Sequence, residues 1–174
     1  MRIIAGVNRG RKIKQPPIDT VRPTKDRIRE AVFNMIAERV PGAGVLDIFS
    51  GSGAYGLEAL SRGASGCVFV EKDPEAAKVL QENIDILGEA GKSSVMKMDG
   101  LDSVRVLSGR NSRFDLICSD APYNLNINKK LLIMINQYDI LKLTGVLVIE
   151  HDSQEELPDC EGNVSVYKKK TYGD

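Results

Sequence analysis

A chain of 174 residues with 42% hydrophobic and 28% charged positions suits a single folded domain with one core. Its formal net charge is zero, which excludes a uniformly basic or acidic protein. No apolar run approaches the roughly 18 residues needed to cross a bilayer. The opening MRIIAGVNRGRK is too poor in apolar residues for a signal peptide, so a cytoplasmic protein without a membrane role is expected. Three well-separated cysteines, Cys67, Cys118 and Cys160, have neither metal-ligand spacing nor a disulfide framework. They suit a reducing compartment, and no metal is expected.

The charge is unevenly spread. Residues 1–39 hold ten Lys or Arg against four Asp or Glu, and the remainder holds fourteen against twenty. A basic arm on an acidic body suits nucleic acid, although on charge alone a solvated surface is the simpler reading. Within the arm, Arg2–Ala5 and Arg11–Lys14 read as two short strands around a loop with glycine at both ends, a β-hairpin bearing Arg9, Arg11, Lys12 and Lys14. Pro16-Pro17 makes the next stretch irregular. Thr24 reads as a helix N-cap with Asp26 placed for the helix dipole. Ile28, Ala31, Val32, Met35 and Ile36 then recur at helical spacing, up to Pro41-Gly42.

From Val45 to Gly56 runs VLDIFSGSGAYG: a short apolar strand, a turn with Gly51, Gly53 and Gly56, and then a helical pattern from Leu57 to Arg62. This order makes a nucleotide-cofactor loop. Gly51 permits a tight turn, and Gly53 permits backbone to approach a ligand. Asp47, inside the strand, suits a ligand carrying ammonium and sulfonium better than one carrying a pyrophosphate.

Cys67–Val70 reads as a second strand, ending at Glu71. Asp73-Pro74 starts a helix whose core face is Ala77, Leu80, Ile84 and Leu87. Val95–Met98, Phe114–Cys118 and Val146–Ile149 read as further strands, Leu131–Ile140 as a helix, and Val164–Lys170 as an alternating sixth strand. Strands alternating with helices argue an α/β fold, a mostly parallel sheet with helices on both faces. Ligands bind outside the carboxyl ends of such strands, where Asp47, Glu71, Asp99, Asp120 and Glu150 fall. Glu71 is placed to accept from both ribose hydroxyls of an adenosine. Asp99 can accept from an adenine amine, although Asp before Gly100 is also turn chemistry. In Asp120-Ala121-Pro122-Tyr123, the acid can accept from an amine, Pro122 fixes the backbone, and Tyr123 offers a face for stacking a base.

These residues together resemble the RsmD-type family of 16S rRNA guanine-N2 methyltransferases. The likeness runs through Met1–Gly6, Arg22-Pro23-Thr24 with Arg29-Glu30, LDIFSGSGAYGLEALSRGA over residues 46–64, Phe69–Asp73 and the Asp-x-Pro-Tyr motif. The resemblance implies a seven-stranded, Rossmann-like class I methyltransferase fold in one domain, with residues 1–20 as a basic hairpin extension of a catalytic core over residues 21–174. It implies S-adenosylmethionine as cofactor, held by Arg22, Thr24, Asp47, Gly51, Ser52, Gly53, Gly56, Glu71, Lys72, Asp99 and Gly100. Asp120, Pro122 and Tyr123 would carry the chemistry, and Arg9, Arg11 and Lys12 would meet RNA of the small ribosomal subunit, with the protein acting as a monomer. Two departures stand out. Ala121 replaces the first proline of the family's Asp-Pro-Pro-Tyr, which relaxes that loop. The chain also stops at Tyr172-Gly173-Asp174, where the family continues into another strand whose loss would expose a sheet edge. The rival readings are a DNA adenine-N6 methyltransferase, an NAD-dependent oxidoreductase and a cofactor-binding protein without turnover; His151 reads as a bystander.

Overall fold

The computed structural model describes residues 1–17, 26–122 and 126–172. Among these, five strands form an all-parallel sheet in the order β3-β2-β1-β4-β5. They are β1 (Gly44–Ile48), β2 (Gly66–Val70), β3 (Ser93–Met96), β4 (Phe114–Asp120) and β5 (Leu141–Glu150). The crossover helices are α2 (Ala54–Ser61), α3 (Pro74–Leu87), α4 (Gly100–Gly109) and α5 (Ile127–Gln137), and α1 (Asp26–Met35) precedes the sheet.

Period-2 alternation sorts the strands between two cores. Val45 of β1 joins α1, α2 and α3 through Phe33, Leu57, Leu60 and Leu80. Leu46 and Ile48 face the other way, toward Val104 and Leu107 of α4 and Leu131 and Ile135 of α5. Both sheet faces are therefore covered, as parallel strands require. The chain runs outward from β1 to β3 and then returns to place β4 against the other side of β1, which makes β1/β4 the topological switch point.

Local chemistry explains most boundaries. The Asp73 side chain accepts from Ala76 N–H with Pro74 in the first turn, and Gly88 closes α3 in the left-handed region at φ 74°. Several expectations change. The N-terminal hairpin contains a single antiparallel bridge, Arg2 to Lys12, in place of two strands. Its loop docks on α2: Val7 N–H donates to Ser61 O at 2.8 Å, and a Cβ on Gly6 would lie 1.8 Å from that same oxygen. The segment before β4 contains α4, which hydrophobic spacing did not reveal. On α1 the buried residues are Arg29, Val32 and Phe33, while Ile28, Ala31 and Met35 are only half-buried. The expected strand over residues 164–170 shrinks to β7 (Val164–Ser165), paired antiparallel with β6 (Cys160–Glu161) in a separate two-stranded sheet. The seven strands implied by the resemblance are, among the described residues, five in one sheet and two in another. β5 forms an edge of the larger sheet, and Leu143 on it is 99% exposed. The expected N-cap at Thr24 lies outside the described residues.

Candidate active site

At the carboxyl edge of the switch point, β1 delivers Asp47 and β4 delivers Asp120. Asp47 shares its face with Val45, so it turns toward α2, where its Oδ2 accepts from Gly56 N–H at 2.9 Å. It is 2% exposed. Gly56 is pressed against β2, and a Cβ there would lie 2.3 Å from the Phe69 ring and 2.6 Å from Cys67 Sγ. Any larger residue would push α2 off the sheet and break the Asp47 bond. Burial, reinforced by the Asp120 and Glu71 carboxylates and opposed by the Gly56 N–H, pushes the Asp47 carboxyl up to about 8.

The loop between β1 and α2 is tightly pinned. Ser50 Oγ donates to Asp47 O at 2.6 Å and accepts from Val70 N–H at 3.0 Å. Phe49 is held at φ 61°, a region costly for a bulky residue. Gly51 N–H donates to Glu71 Oε2 at 2.8 Å, and Asp73 N–H donates to the other oxygen, Oε1, at 2.8 Å. These two bonds present the Glu71 carboxylate at the end of β2, each oxygen retaining a lone pair for a ribose hydroxyl. Gly53 adopts φ 82°, a left-handed conformation that favours glycine, and a Cβ there would lie 2.4 Å from the Leu80 side chain of α3. Gly53 also caps α2 without a side-chain bond. Of the first-turn N–H groups of that helix, that of Gly56 is taken by Asp47, and the helix begins beside the carboxyl end of β1.

Asp99 caps α4, its Oδ1 accepting from Leu101 N–H at 2.9 Å, and Lys72 Nζ lies 3.6 Å from its Oδ2. Asp99 is therefore the N-cap of α4, with Gly100 as the buried first residue of the helix. Asp120 stands opposite Glu150 across β4 and β5. Tyr55 of α2 reaches over to them, donating its hydroxyl to Glu150 Oε2 at 3.0 Å. Burial first, then the nearby Glu150 and Asp120 charges, raise the Tyr55 hydroxyl above its ordinary value. Ala121 is buried and Pro122 exposed. Tyr123, Arg22 and Thr24 lie outside the described residues. A groove of about 590 Å³ between Asn34–Arg39 and Thr144–Val146 sits along the first half of β5, away from these carboxylates.

In the hairpin, Arg11 is engaged internally. Its guanidinium donates to the Ile86 and Leu87 carbonyls and to Asn8 Oδ1, closing the end of α3. Arg9 and Lys12 are exposed and have no side-chain partner among the described residues. Sequence reasoning missed a second group. Glu58 of α2 and Arg29 of α1 are both fully buried, with Arg29 Nε 3.6 Å from Glu58 Oε2 and Arg62 Nε 2.7 Å from Glu58 Oε1. Glu58 also accepts from Ile4 N–H at 2.8 Å and Ala5 N–H at 3.1 Å. It thereby ties the hairpin to the helix that begins at the cofactor loop. The available signal was α2 itself, whose AYGLEALS contains a single charge in an otherwise small and apolar helix.

The donor set selects the cofactor. A pyrophosphate would meet the Glu71 and Asp120 carboxylates, whereas a sulfonium and an ammonium are attracted by them, a carboxylate suits the α2 N-terminus and a ribose suits Glu71. Fold and site define a class I, S-adenosylmethionine-dependent methyltransferase. The family described as conserved hypothetical protein 95 matches residues 1–174. The chain belongs to that family, the RsmD-type methyltransferases. It is 37% identical to YlbH of Bacillus subtilis, over 99% of this chain and 94% of that protein. It is 32% identical to ribosomal RNA small subunit methyltransferase D of Escherichia coli, over 99% of this chain and 85% of that protein. The solved structure of yhhF from Escherichia coli aligns with a TM-score of 0.87 at 32% identity, covering 99% of this chain and 92% of that one.

The Asp47 geometry gives a pH prediction. Its carboxyl titrates near 8 in the fold against an ordinary 3.8, so folding favours the protonated form. Stability of the cofactor-free protein is complete below about 4 and falls as pH rises through 8, with a slope of at most about 1.4 kcal/mol per pH unit for one proton. A cationic cofactor favours the ionised form, so its affinity should rise with pH across that window and binding should release a proton. Calorimetry in buffers of different ionisation enthalpy reads the proton directly. Asp47→Asn should flatten both profiles, and a cofactor affinity independent of pH would remove Asp47 from this role.

Proposed function

We propose that the chain transfers the methyl group of S-adenosylmethionine to the exocyclic N2 amine of a guanine in small-subunit ribosomal RNA, acting as a monomer. The observation that carries this reading is Asp120 at the switch point, one strand from the pinned cofactor loop and on the same molecule as the exposed cations of the hairpin. The names of the relatives support the RNA class. Among the described residues, no helix is long and apolar enough to cross a membrane.

The cofactor supplies an electrophilic methyl on a sulfonium. The guanine amine is a weak nucleophile because its lone pair is delocalised into the ring, so the protein's task is alignment and charge stabilisation. Glu71 and the N-terminus of α2 hold the adenosine and carboxylate ends. Asp120 accepts an N–H from the amine and favours the positive character that the nitrogen gains as its bond to carbon forms. Tyr123 stacks on the extruded base, and Pro122 stiffens its approach. The Tyr55–Glu150 bond keeps the end of β5 in register beside Asp120. The released N–H proton passes to water or to Asp120.

The test is transfer of a labelled methyl to small-subunit particles lacking the modification, followed by mapping of the modified base. Label on an adenine amine, or on DNA, would replace this reading by its nucleic-acid rival. For the hairpin, Arg9→Ala with Lys12→Ala should weaken RNA binding and reduce its salt slope by about two, leaving cofactor affinity unchanged. Arg11→Ala should instead lower the melting temperature, because it uncaps α3. An unaltered salt slope in the double variant would make the arm a solvated surface.

A further inference from the structure

Lys14 and Gln15 lead out of the hairpin along α3 and end beside the cofactor loop. Asn83, fully buried in the middle of α3, joins the two. Its Oδ1 accepts from Lys14 N–H at 2.8 Å, and its Nδ2 donates to Lys14 O at 3.0 Å and to Ser52 O at 2.9 Å. One backbone donor faces the amide oxygen and two carbonyls face its nitrogen, so only one orientation of the amide satisfies all three. Gln15 adds a second link, its Nε2 donating to Ser52 Oγ at 3.2 Å. Lys14 is held sideways by Glu82 at 2.7 Å. Asparagine is a poor helix former, and burying its amide in α3 stabilises the fold only because every one of these bonds is made.

We propose that Asn83, assisted by Gln15, is a positioning residue for methyl transfer: it holds the RNA-binding hairpin in register with the cofactor loop. This inference rests on the RNA reading above. The two reactants are held by different pieces of the protein, RNA by the hairpin cations and cofactor by the loop that contains Ser52. Each affinity depends on its own piece. The rate at saturation depends on the distance between them, and a displacement of about 1 Å can cost on the order of a hundredfold. Glu58 anchors the opposite side of the hairpin to α2, whereas Asn83 from α3 and Gln15 from the hairpin's exit both bond directly to Ser52 of the loop.

Asn83→Asp keeps the size and the acceptor but removes the donor to Lys14 O and Ser52 O. Gln15→Ala, at a half-buried position, removes the amide that donates to Ser52 Oγ at 3.2 Å, Lys14 O at 3.3 Å and Met1 Sδ at 3.5 Å, and leaves the Asn83 bonds in place. Single-turnover transfer at saturating RNA and cofactor is compared with the separate dissociation constants of both. Asn83→Asp should lose at least about tenfold in saturated rate, and Gln15→Ala about threefold, with each dissociation constant within about threefold of wild type. A merely structural asparagine would lower the melting temperature and leave the saturated rate of the folded protein unchanged, which overturns the proposal. A rate loss matched by equal losses of affinity also overturns it. If Asn83→Asp does not fold, Gln15→Ala decides, and a wild-type saturated rate there is the overturning result. A wild-type protein that transfers nothing to small-subunit RNA overturns the RNA reading itself, and this inference with it.

Discussion

Asp120→Ala should transfer methyl groups at least about a hundredfold more slowly than wild type, the scale of one lost preorganised electrostatic group. Asp120 ends β4 opposite Glu150, beside the loop that starts after β1. In the proposed reaction its carboxylate interacts most strongly as the amine nitrogen becomes positive. That is transition-state binding, so kcat should fall more than KM rises. Cofactor affinity should change far less than the rate, because Glu71 and the α2 N-terminus hold the adenosine and carboxylate ends. A second readout separates this from loss of folding. Asp120 is one of the charges raising Asp47, so removing it should move the pH window of cofactor affinity below 8. Normal turnover in Asp120→Ala would place the catalytic centre elsewhere.

The parallel sheet and its carboxyl edge were legible because each buried strand reads as a short apolar run and the polar residues fall where those runs stop. Asp73-Pro74 marked the start of α3 for the same local reason: an N-cap is written in one or two residues. What stayed hidden depends on contacts distant in sequence. Arg11 reads as a phosphate ligand from its charge and place in the hairpin, and its bonds to the open carbonyls at the end of α3 depend on contacts the sequence does not show. Asn83 looks like a polar face residue, yet its amide replaces the missing partner strand of Lys14. Gly53 reads as a position for ligand approach, and its left-handed φ of 82° and its closeness to the Leu80 side chain are further constraints that spacing alone does not show. Arg29 falls between apolar residues of α1 and is nonetheless fully buried, because Glu58 waits for it on α2.

Glu58→Ala should destabilise the protein by about 3–5 kcal/mol, the cost of leaving a buried charge without its partner. The expected loss is a large fraction of the roughly 5–15 kcal/mol that stabilises a typical domain. At about 2–4 °C per kcal/mol for a domain of this size, the melting temperature should fall by roughly 10 °C. The size of the effect follows from what Glu58 serves. Arg29 would retain only the Arg2 carbonyl and Asp26, whose Oδ1 lies 3.1 Å away and whose side chain is 40% exposed. The N–H groups of Ile4 and Ala5 would lose their acceptor, and the hairpin would lose one of its anchors. Arg62 would keep its place over the Phe33 ring, 5.0 Å from the centroid, but not its ion pair. RNA affinity should therefore fall in Glu58→Ala even at temperatures where it is folded, while cofactor affinity falls less. The double variant Glu58→Leu with Arg29→Met removes both buried charges and keeps apolar volume, so it should regain most of the stability. It should not regain RNA affinity, because Ile4 and Ala5 still lack their acceptor. Denaturant unfolding of the single and double variants reads the pair, and RNA titration reads the anchor. A Glu58→Ala protein as stable as wild type would mean that the arginine finds water or another acceptor once the carboxylate is gone.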